Sequence, residues 1–373
     1  MNALERLKNK RLERWLGHWV TKAAGESARK MAGAIARRRT RHVLFAFCDH
    51  YEPLWGKVSD EVGNARVASW VEGYPRLAAE FRDADGRPPR HTFFFPGEEY
   101  RPAWLEALGG ICRQGLGEVE LHLHHDGDDA PALREKLHDY LRSYQEHGHL
   151  CRSGGAEARY GFIHGNWCLA NSRPDGRWCG VDDELEVLFQ TGCYADFTFP
   201  SAPDATQPGI VNEIYWPKGD LGRARAHERG RPARVGRIEH DRILMIQGPL
   251  ALTRGGRGLR IENGAITASD PATAERVKSW VAQAIHVRGR PEWVFVKVHT
   301  HGAPERQAAE LLGEGGRALH RALARYNDGR RFALHYVTAR EMFNVALAAM
   351  AGCTGNPAEF LNFSLPPPPV STC

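Results

Sequence analysis

The feature that most constrains the fold of this chain is a repeated alternation of short apolar segments with longer amphipathic segments. The apolar segments are rich in β-branched and aromatic residues, as strands buried on both faces require. They cover residues 42–48, 91–95, 118–124, 159–163, 193–199, 243–246, 293–298 and 332–337. The helix-like segments cover residues 64–83, 103–112, 130–147, 182–190, 272–287, 304–326 and 339–351. This alternation predicts an α/β fold built as one (β/α)7–8 barrel, distorted or incomplete, and a doubly wound open sheet is the alternative.

The alternation continues without a change of composition through residues 42–352, which are therefore predicted to form one domain. A basic extension (1–41) precedes it, and a proline-rich segment (353–373) follows that is expected to run over the surface. The chain has 373 residues, 42% hydrophobic and 25% charged, as is typical of a globular enzyme. No apolar run approaches the roughly 20 residues of a bilayer span, and no secretory signal is visible. The eight cysteines form no C-x-x-C pair, which indicates reduced thiols and a cytoplasmic location.

Positive charge is concentrated in the first 41 residues, which hold twelve Lys or Arg and three Glu for a local charge of +9. The remainder of the chain sums to −4, so the main domain is not expected to bind nucleic acid. Residues 2–22 are predicted to form an amphipathic helix. Its apolar stripe comprises Leu4, Leu7, Leu12, Trp15, Leu16, Trp19 and Val20. This helix either packs against the domain or a partner chain, or it makes peripheral contact with the inner face of an anionic membrane.

Polar side chains gather where the predicted strands end, most densely after the strand that starts at Glu118. Eight residues there contain three histidines and three aspartates: His122, His124, His125, Asp126, Asp128 and Asp129. The other strand ends add Asp49 and His50, Glu98 and Glu99, His164 and Asn166, Tyr194 and Asp196, and His299 and His301. The carboxyl ends of parallel strands meet at one edge, and imidazole and carboxylate groups are ligands for zinc and similar ions. The sequence therefore predicts a metal centre that activates a water molecule.

The order of these motifs resembles that of the polysaccharide deacetylase superfamily, the NodB-homology group that includes carbohydrate esterase family 4. The resemblance covers residues 42–340 with gaps, and Asp49 ends a segment that matches the family's Phe-Asp-Asp motif. His122 has the family's spacing from Glu118, and His299 is similar to the late catalytic histidine. Two positions depart from the pattern. Cys48 stands in place of the aspartate that acts as base, and Asp126 stands in place of the second histidine of H-x-x-x-H.

The resemblance implies a metal-dependent hydrolase that removes an acetyl group from an amino sugar or glycan, in polysaccharide or envelope biosynthesis. The implied substrate is a carbohydrate, lipid-linked carbohydrates included. The implied cofactor is one divalent metal ion, with zinc as first choice and manganese or cobalt as alternatives. The ligands are expected among Asp49, His122, His124 and Asp126. The catalytic acid and base are expected among His50, Glu98, His299 and His301. The expected substrate-binding residues are His164, Asn166, Trp167, Tyr194 and Asp196.

Two other functions stay open on the sequence alone. A glycoside hydrolase on a related barrel would use two carboxylates, such as Glu98 and Asp196, about 5–9.5 Å apart. A non-catalytic sugar-binding homologue would keep the barrel and lack the base that Cys48 replaces. Neither of these alternatives needs a bound ion, so the metal content of the purified protein separates them from the deacetylase hypothesis.

Overall fold

The computed structural model describes residues 11–33, 40–152, 157–255 and 258–372. The strands in these ranges are β1 (Arg41–His50), β2 (His91–Pro96), β3 (Gly117–Leu123), β4 (Cys151–Arg152), β5 (Ala158–His164), β6 (Cys193–Asp196), β7 (Ile214–Pro217), β8 (Gly230–Pro232), β9 (Leu244–Ile246), β10 (Ala251–Gly255), β11 (Gly258–Glu262), β12 (Trp293–Thr300) and β13 (Phe332–Val337). The helices are α1 (Leu12–Gly33), α2 (Asp60–Ala79), α3 (Pro102–Arg113), α4 (Ala130–Glu146), α5 (Glu184–Gln190), α6 (Ala274–Ala282), α7 (Glu305–Leu312), α8 (Glu314–Ala324) and α9 (Ala339–Met350). The protein is therefore a mixed α/β protein.

One large, mostly parallel sheet contains all the described strands except the β10–β11 hairpin. Its order is β12-β1-β2-β3-β5-β6-β9-β7-β8, with β13 paired to the first half of β1 and β4 paired to β5. Strand β1 is central because it is paired on both edges: Val43 lies opposite Val294 of β12 and Leu334 of β13. A parallel strand that is covered on both faces needs a continuous apolar sequence, which is why β1 has no polar side chain from Val43 to Cys48.

Side-chain alternation assigns each strand residue to one of the two faces of the sheet. On what we term the outer face, Phe45 and Phe47 of β1 join a core cluster that includes apolar side chains of α2 to α8. On the inner face, Ala46 and Cys48 join a second cluster that includes α9. Every residue of α9 is buried, as a helix surrounded by core must be. The inner face is thus filled by α9 and by side chains of the strands themselves.

The predicted strands and helices are present with shifted ends, and three segments differ in kind. The predicted helix 304–326 is divided into α7 and α8 because Gly313 has extended backbone angles between them. The segment 215–241, predicted to be a loop, contains β8 and most of β7, a short antiparallel pair at the sheet edge. The predicted strand 193–199 ends at Asp196 because the Asp196 carboxylate accepts the backbone N–H of Thr198 at 3.1 Å.

The C-terminal segment is tied into the fold more firmly than a surface arm. Leu361, Leu365 and Val370 are buried. The side-chain amide of Asn344 in α9 donates to the carbonyl oxygens of Leu361 at 2.8 Å and Leu365 at 2.9 Å. The expectation of a purely surface-running segment is therefore wrong at Leu361 and Leu365, which are anchored to α9, and at Val370, whose backbone N–H donates to the carbonyl oxygen of Gly148 at 2.9 Å.

The described part of the N-terminal helix, α1, packs on the domain. Leu4, Leu7 and residues 34–39 of the basic segment lie outside the described residues. Leu12 and Trp15 are buried in a cluster with Ala202, Val211 and Leu250, and Nε1 of Trp19 donates to Oε1 of Gln283 at 3.0 Å. Much of the described apolar stripe is therefore in contact with the domain, and membrane contact stays a prediction. None of the described helices combines the length and apolar composition that a bilayer crossing requires.

Candidate metal centre

A cluster of imidazoles surrounds one carboxylate at the C-terminal end of the inner face. Strand β1 ends in His50, which alternation places on the same face as Ala46 and Cys48. Glu52 follows two residues later, and β3 contributes His122 from its own inner face. Ligand atoms of His50, Glu52 and His122 all lie within 4.8 Å of one another, and all three side chains are buried. We refer to these three residues together with His124 and His301 as the Glu52 cluster.

Glu52 is the centre of this cluster. Its Oε1 atom lies 2.9 Å from Nε2 of His122 and 3.1 Å from Nε2 of His124, and its Oε2 atom lies 3.0 Å from Nδ1 of His301. Burial alone raises the pKa of Glu52, but its hydrogen bonds with His122, His124 and His301 outweigh burial and hold the pKa well below its usual value. Glu52 is therefore an ionised carboxylate that is only 1% exposed.

Both ring nitrogens of His122 lie close to oxygen acceptors. Its Nδ1 atom lies 3.0 Å from the carbonyl oxygen of Ile163, which can only accept, so Nδ1 carries a proton. Burial holds the pKa of His122 below its usual value despite the contact with Glu52, which favours the neutral ring. Nε2 of the same ring lies 2.9 Å from the Glu52 carboxylate. A proton or a metal ion must therefore lie between Nε2 and the carboxylate, and a ligating histidine typically donates its other N–H to such a carbonyl.

His50 adds a second unsatisfied imidazole. Both of its ring nitrogens are buried without a hydrogen-bond partner in the described part of the chain. Its ring centroid lies 4.9 Å from that of His122 and 4.8 Å from that of His301. Burial, together with these neighbouring imidazoles, holds the pKa of His50 well below its usual value. An unpartnered neutral imidazole is unfavourable in a core, and it is available to bind an ion.

The Glu52 cluster opens to solvent on one side. The side chains of His124 and His301 are 31% and 26% exposed, and the exposed ring of Trp55 lies over His301 with a centroid distance of 4.6 Å. A pocket of about 550 Å³ begins at His301. Its wall also includes His299, Trp167, Arg173 and residues 200–205. Catalytic metal sites keep such an open position for water and substrate.

No family model, curated protein or solved structure matches this chain.

Asp49, expected to be a metal ligand, lies on the outer face. Its Oδ1 accepts the backbone N–H of Gly302 at 2.6 Å, and its Oδ2 is 3.0 Å from Nε2 of His91. Residue 302 must be glycine because a Cβ atom there would overlap the Asp49 carboxylate. Alternation along β1 separates Asp49 from the Glu52 cluster, so its carboxylate fixes the loop after β12 instead. This placement corrects the ligand assignment taken from the resemblance.

Of the two remaining predicted ligands, one lies inside the Glu52 cluster and the other lies outside it. His124 belongs to the Glu52 cluster, and Glu98 supports it: Oε1 of Glu98 is 2.6 Å from Nδ1 of His124 and also accepts its backbone N–H. A side chain at Gly165 would overlap the His124 ring, so that position requires glycine.

Asp126 is exposed and accepts the backbone N–H of Trp178 at 2.6 Å, outside the cluster. His299 has its ring centroid 5.9 Å from that of His50.

The predicted substrate-binding residues are mostly not accessible. The Tyr194 hydroxyl donates to the buried carboxylate of Glu120, and Asp196 is 1% exposed. Burial removes both from the pocket, which corrects their assignment to substrate binding. Trp167 lines the pocket, whereas the backbone N–H of Asn166 points to Nδ1 of its neighbour His164 at 3.3 Å.

Sequence reasoning missed Glu52 and two residues of another buried group. That group comprises His125, His164, Cys179 and Glu184. The sequence signal for Glu52 is its position two residues after His50. The alternation that assigns Ala46, Cys48 and His50 to the inner face therefore also assigns Glu52 to it. A third group, formed by Asp83, Asp85 and His335, is accounted for by its own hydrogen bonds, because Asp83 accepts the backbone N–H of Tyr336 and His335 pairs with Asp85 at 2.6 Å.

Proposed function

We propose that this protein is a metal-dependent hydrolase that removes an acetyl group from an amino sugar or glycan, with His50, Glu52 and His122 as metal ligands. The observation that carries the proposal is a buried cluster that opens to a pocket, in which the Glu52 carboxylate lies 2.9 Å from Nε2 of His122 and the neighbouring His50 ring has no hydrogen-bond partner among the described residues. The acetyl-sugar part rests on the motif order shared with polysaccharide deacetylases. Two aromatic rings, Trp167 in the pocket wall and Trp55 beside His301, supply surfaces on which sugar rings stack.

A divalent ion bound here supplies Lewis acidity and lowers the pKa of a coordinated water. Residues of the chain supply the remaining roles, which are proton transfer and stabilisation of charge. His301 donates from Nδ1 to Glu52, so its Nε2 bears the lone pair that accepts a proton from water and returns it to the leaving amine. His124 lies between the carboxylates of Glu52 and Glu98. Burial lowers the pKa of His124, but these two hydrogen bonds outweigh it and raise the pKa to about 10. His124 therefore offers a positive charge for the developing oxyanion.

The two competing functions are less well supported. A glycoside hydrolase that uses Glu98 and Asp196 needs both carboxylates at the sugar, whereas Asp196 is buried and bonded to Thr198. A non-catalytic protein was suggested by Cys48 in place of the base. Burial raises the pKa of the Cys48 thiol to about 12, so it is no base, and His301 is placed to take that role.

We also propose that the sheet curls into a distorted barrel, which brings its ends together. Nζ of Lys297 in β12 donates to the carbonyl oxygen of Phe199, beyond β6, at 3.0 Å. A Cβ atom at Gly248, just after β9, would lie 2.5 Å from the carbonyl oxygen of Lys297. A crystal structure in which the ends of β9 and β12 lie apart would contradict the barrel.

Metal analysis combined with an acetate-release assay tests the hydrolase proposal. Wild-type protein reconstituted with zinc, manganese or cobalt is expected to release acetate from an N-acetylglucosamine oligomer. His122→Ala should lose both one bound ion and this activity. His138→Ala, which changes an exposed histidine of α4, is the matched control and should retain both. Wild-type protein that binds none of the three ions, or His122→Ala with wild-type activity, contradicts the proposal.

A further inference from the structure

A second buried group of ligand-type side chains lies apart from the Glu52 cluster. His164 ends β5 on the outer face, where it follows Tyr160 and Phe162. His125 follows β3, Cys179 belongs to the loop before α5, and Glu184 begins α5. The ligand atoms of these four side chains all lie within 4.8 Å of one another, and all four are buried.

The contacts within this group point the ligand atoms towards one another. Oε1 of Glu184 lies 2.9 Å from Nε2 of His125 and 3.6 Å from Nε2 of His164. Oε2 of Glu184 lies 3.5 Å from Sγ of Cys179. Nδ1 of His125 lies 3.3 Å from Oδ2 of Asp128 without a hydrogen bond between them, so it is one of two buried imidazole nitrogens of this group that have no hydrogen-bond partner among the described residues. These contacts bring the four ligand atoms together at one place.

His164 gives an independent indication of a ligand. Its Nε2 atom is fully buried and has no hydrogen-bond partner in the described residues. Glu184, also fully buried, has ion pairs only with His125 and His164 within the same part of the chain. Oε2 of Glu184 also accepts the backbone N–H of Ala170 at 2.6 Å, so the carboxylate is hydrogen-bonded but has no Arg or Lys partner. The buried nitrogen of His164 has no partner at all, which is unfavourable. One cation among the four side chains gives that nitrogen a partner and balances the charge of the carboxylate.

The loop that carries Cys179 needs an anchor. Between β5 and α5 the backbone has positive φ at four residues other than glycine: Trp167 (57°), Ala170 (50°), Asn171 (51°) and Trp178 (68°). Left-handed backbone is unfavourable for residues with a Cβ atom, so surrounding contacts must hold it. The same loop supplies Trp167 and Arg173 to the wall of the pocket. An anchor for this loop is therefore also a support for the pocket.

We propose that His125, His164, Cys179 and Glu184 bind a structural divalent ion of the zinc class. Two imidazoles, one thiolate and one carboxylate complete a tetrahedral shell without an open position, as structural zinc sites require. The ion joins the ends of β3 and β5 to α5 and fixes the loop between them. Binding through Nε2 of His164 leaves the proton on Nδ1, so we expect the 3.3 Å contact from the Asn166 amide to lengthen in the loaded protein.

Cobalt substitution tests the proposal because Cys179 is the only thiol in the ligand groups found among the described residues. Full-length protein loaded with Co²⁺ should show a thiolate-to-cobalt charge-transfer band and the intense visible bands of a tetrahedral ion. Cys179→Ser should lose the thiolate band and bind one ion fewer per chain. Cys168→Ser is the matched control, because Cys168 is an equally buried thiol of the same loop and bonds to the Asn166 carbonyl oxygen.

The His122→Ala variant separates this proposal from the hydrolase proposal. It should lose the ion of the Glu52 cluster and keep the thiolate band. Wild-type protein without a thiolate band after cobalt loading, or a Cys179→Ser variant that keeps the band, overturns the structural ion. Loss of the thiolate band only in Cys179→Ser, together with an inactive wild-type enzyme, would overturn the hydrolase proposal and leave the structural ion standing.

Discussion

The Glu52 carboxylate contacts three imidazoles, so replacing it with its neutral isostere, glutamine, tests the proposed metal centre. In Glu52→Gln the amide keeps the size of the side chain and can donate to Nε2 of His122, so the fold should survive. The ion, however, loses its anionic ligand. We expect metal affinity to fall by more than the roughly 10- to 100-fold that loss of a supporting contact costs. Competition against a fluorescent chelator measures it, and an unchanged affinity would remove Glu52 from the ligand set.

Asp196 gives a prediction about pH, because burial raises its pKa to about 7. In the unfolded chain the pKa of an aspartate is about 3.9. Between these values the folded protein keeps a proton that the unfolded chain releases, so the free energy of unfolding falls as pH rises and levels off above about pH 7. The decline attributable to Asp196 is at most about 4 kcal/mol. Asp196→Asn should flatten it.

Urea titrations at a series of pH values measure this effect. Asp139→Asn, which changes a side chain that is 63% exposed, is the control and should keep the wild-type pH profile. If Asp196 instead binds substrate, the Asn variant should change KM and leave the pH profile of stability unchanged.

At the residue scale, the sequence predicts which strand ends are polar but not which face each side chain joins. Alternation from Ala46 through Cys48 assigns His50 to the inner face and Asp49 to the outer face. The family resemblance selected Asp49 as a ligand because a motif match compares the order of residues. It does not consider which face of the sheet each side chain occupies. The sequence could not predict that Cys179 and Glu184 lie beside His125, because no spacing rule fixes the path of the irregular loop that brings them there.

At the scale of elements, α1 is held by a few large contacts. Trp15 is fully buried and packs in the cluster that contains Ala202, one of the pocket residues. Trp15→Ala should therefore lower the free energy of unfolding by about 3–5 kcal/mol. Val20→Ala, at a position that is 51% exposed on the same helix, should change it by less than about 0.5 kcal/mol. Equal effects of the two variants in urea titrations would show that α1 does not dock in this way.

Deletion of residues 1–33 separates docking from membrane contact. If the helix serves the domain, the deletion exposes Val211 and Leu250 and should lower the melting temperature, and the full-length chain should not co-sediment with vesicles. Binding of the full-length chain to anionic but not neutral vesicles, lost at high salt and in the deletion variant, would support the peripheral membrane hypothesis instead.

The elements that sequence predicted well are those whose burial dictates their composition. Strand β1 and helix α9 carry unmistakable apolar patterns because core surrounds them. Strand β8 was missed because a three-residue edge strand is held largely by backbone hydrogen bonds and leaves little mark on the sequence. Strand β7 was missed although Ile214, Tyr215 and Trp216 are buried, because it has only four residues and leads into an Arg- and Gly-rich stretch. The break at Gly313 was missed because the apolar periodicity continues on both sides of it, although three glycines within four residues, Gly313, Gly315 and Gly316, are a signal for a helix break.

At the scale of the whole molecule, the two ligand groups share their supporting strands. Nδ1 of His122 donates to the carbonyl oxygen of Ile163 in β5, and the next residue, His164, belongs to the second group. Adjacent residues of β5 thus support an open site on one side and a closed site on the other. If both groups bind ions as proposed, the closed group positions the loop of the pocket, and the open group lies beside that pocket. We therefore expect the two ions to have different roles and different accessibility.

Chelation should separate these roles in time. Ligand exchange needs access from solvent, which the Glu52 cluster has through the partly exposed His124 and His301. The second group has no exposed ligand, so its ion can leave only when the loop before α5 opens. With excess chelator, acetate release should be lost early while the melting temperature changes little, and the melting temperature should fall only in a later, slower phase. Cys179→Ser should show the early phase alone. Parallel measurements of bound metal, activity and melting temperature test this order, and a simultaneous loss of all three from wild-type protein would contradict two sites of different accessibility.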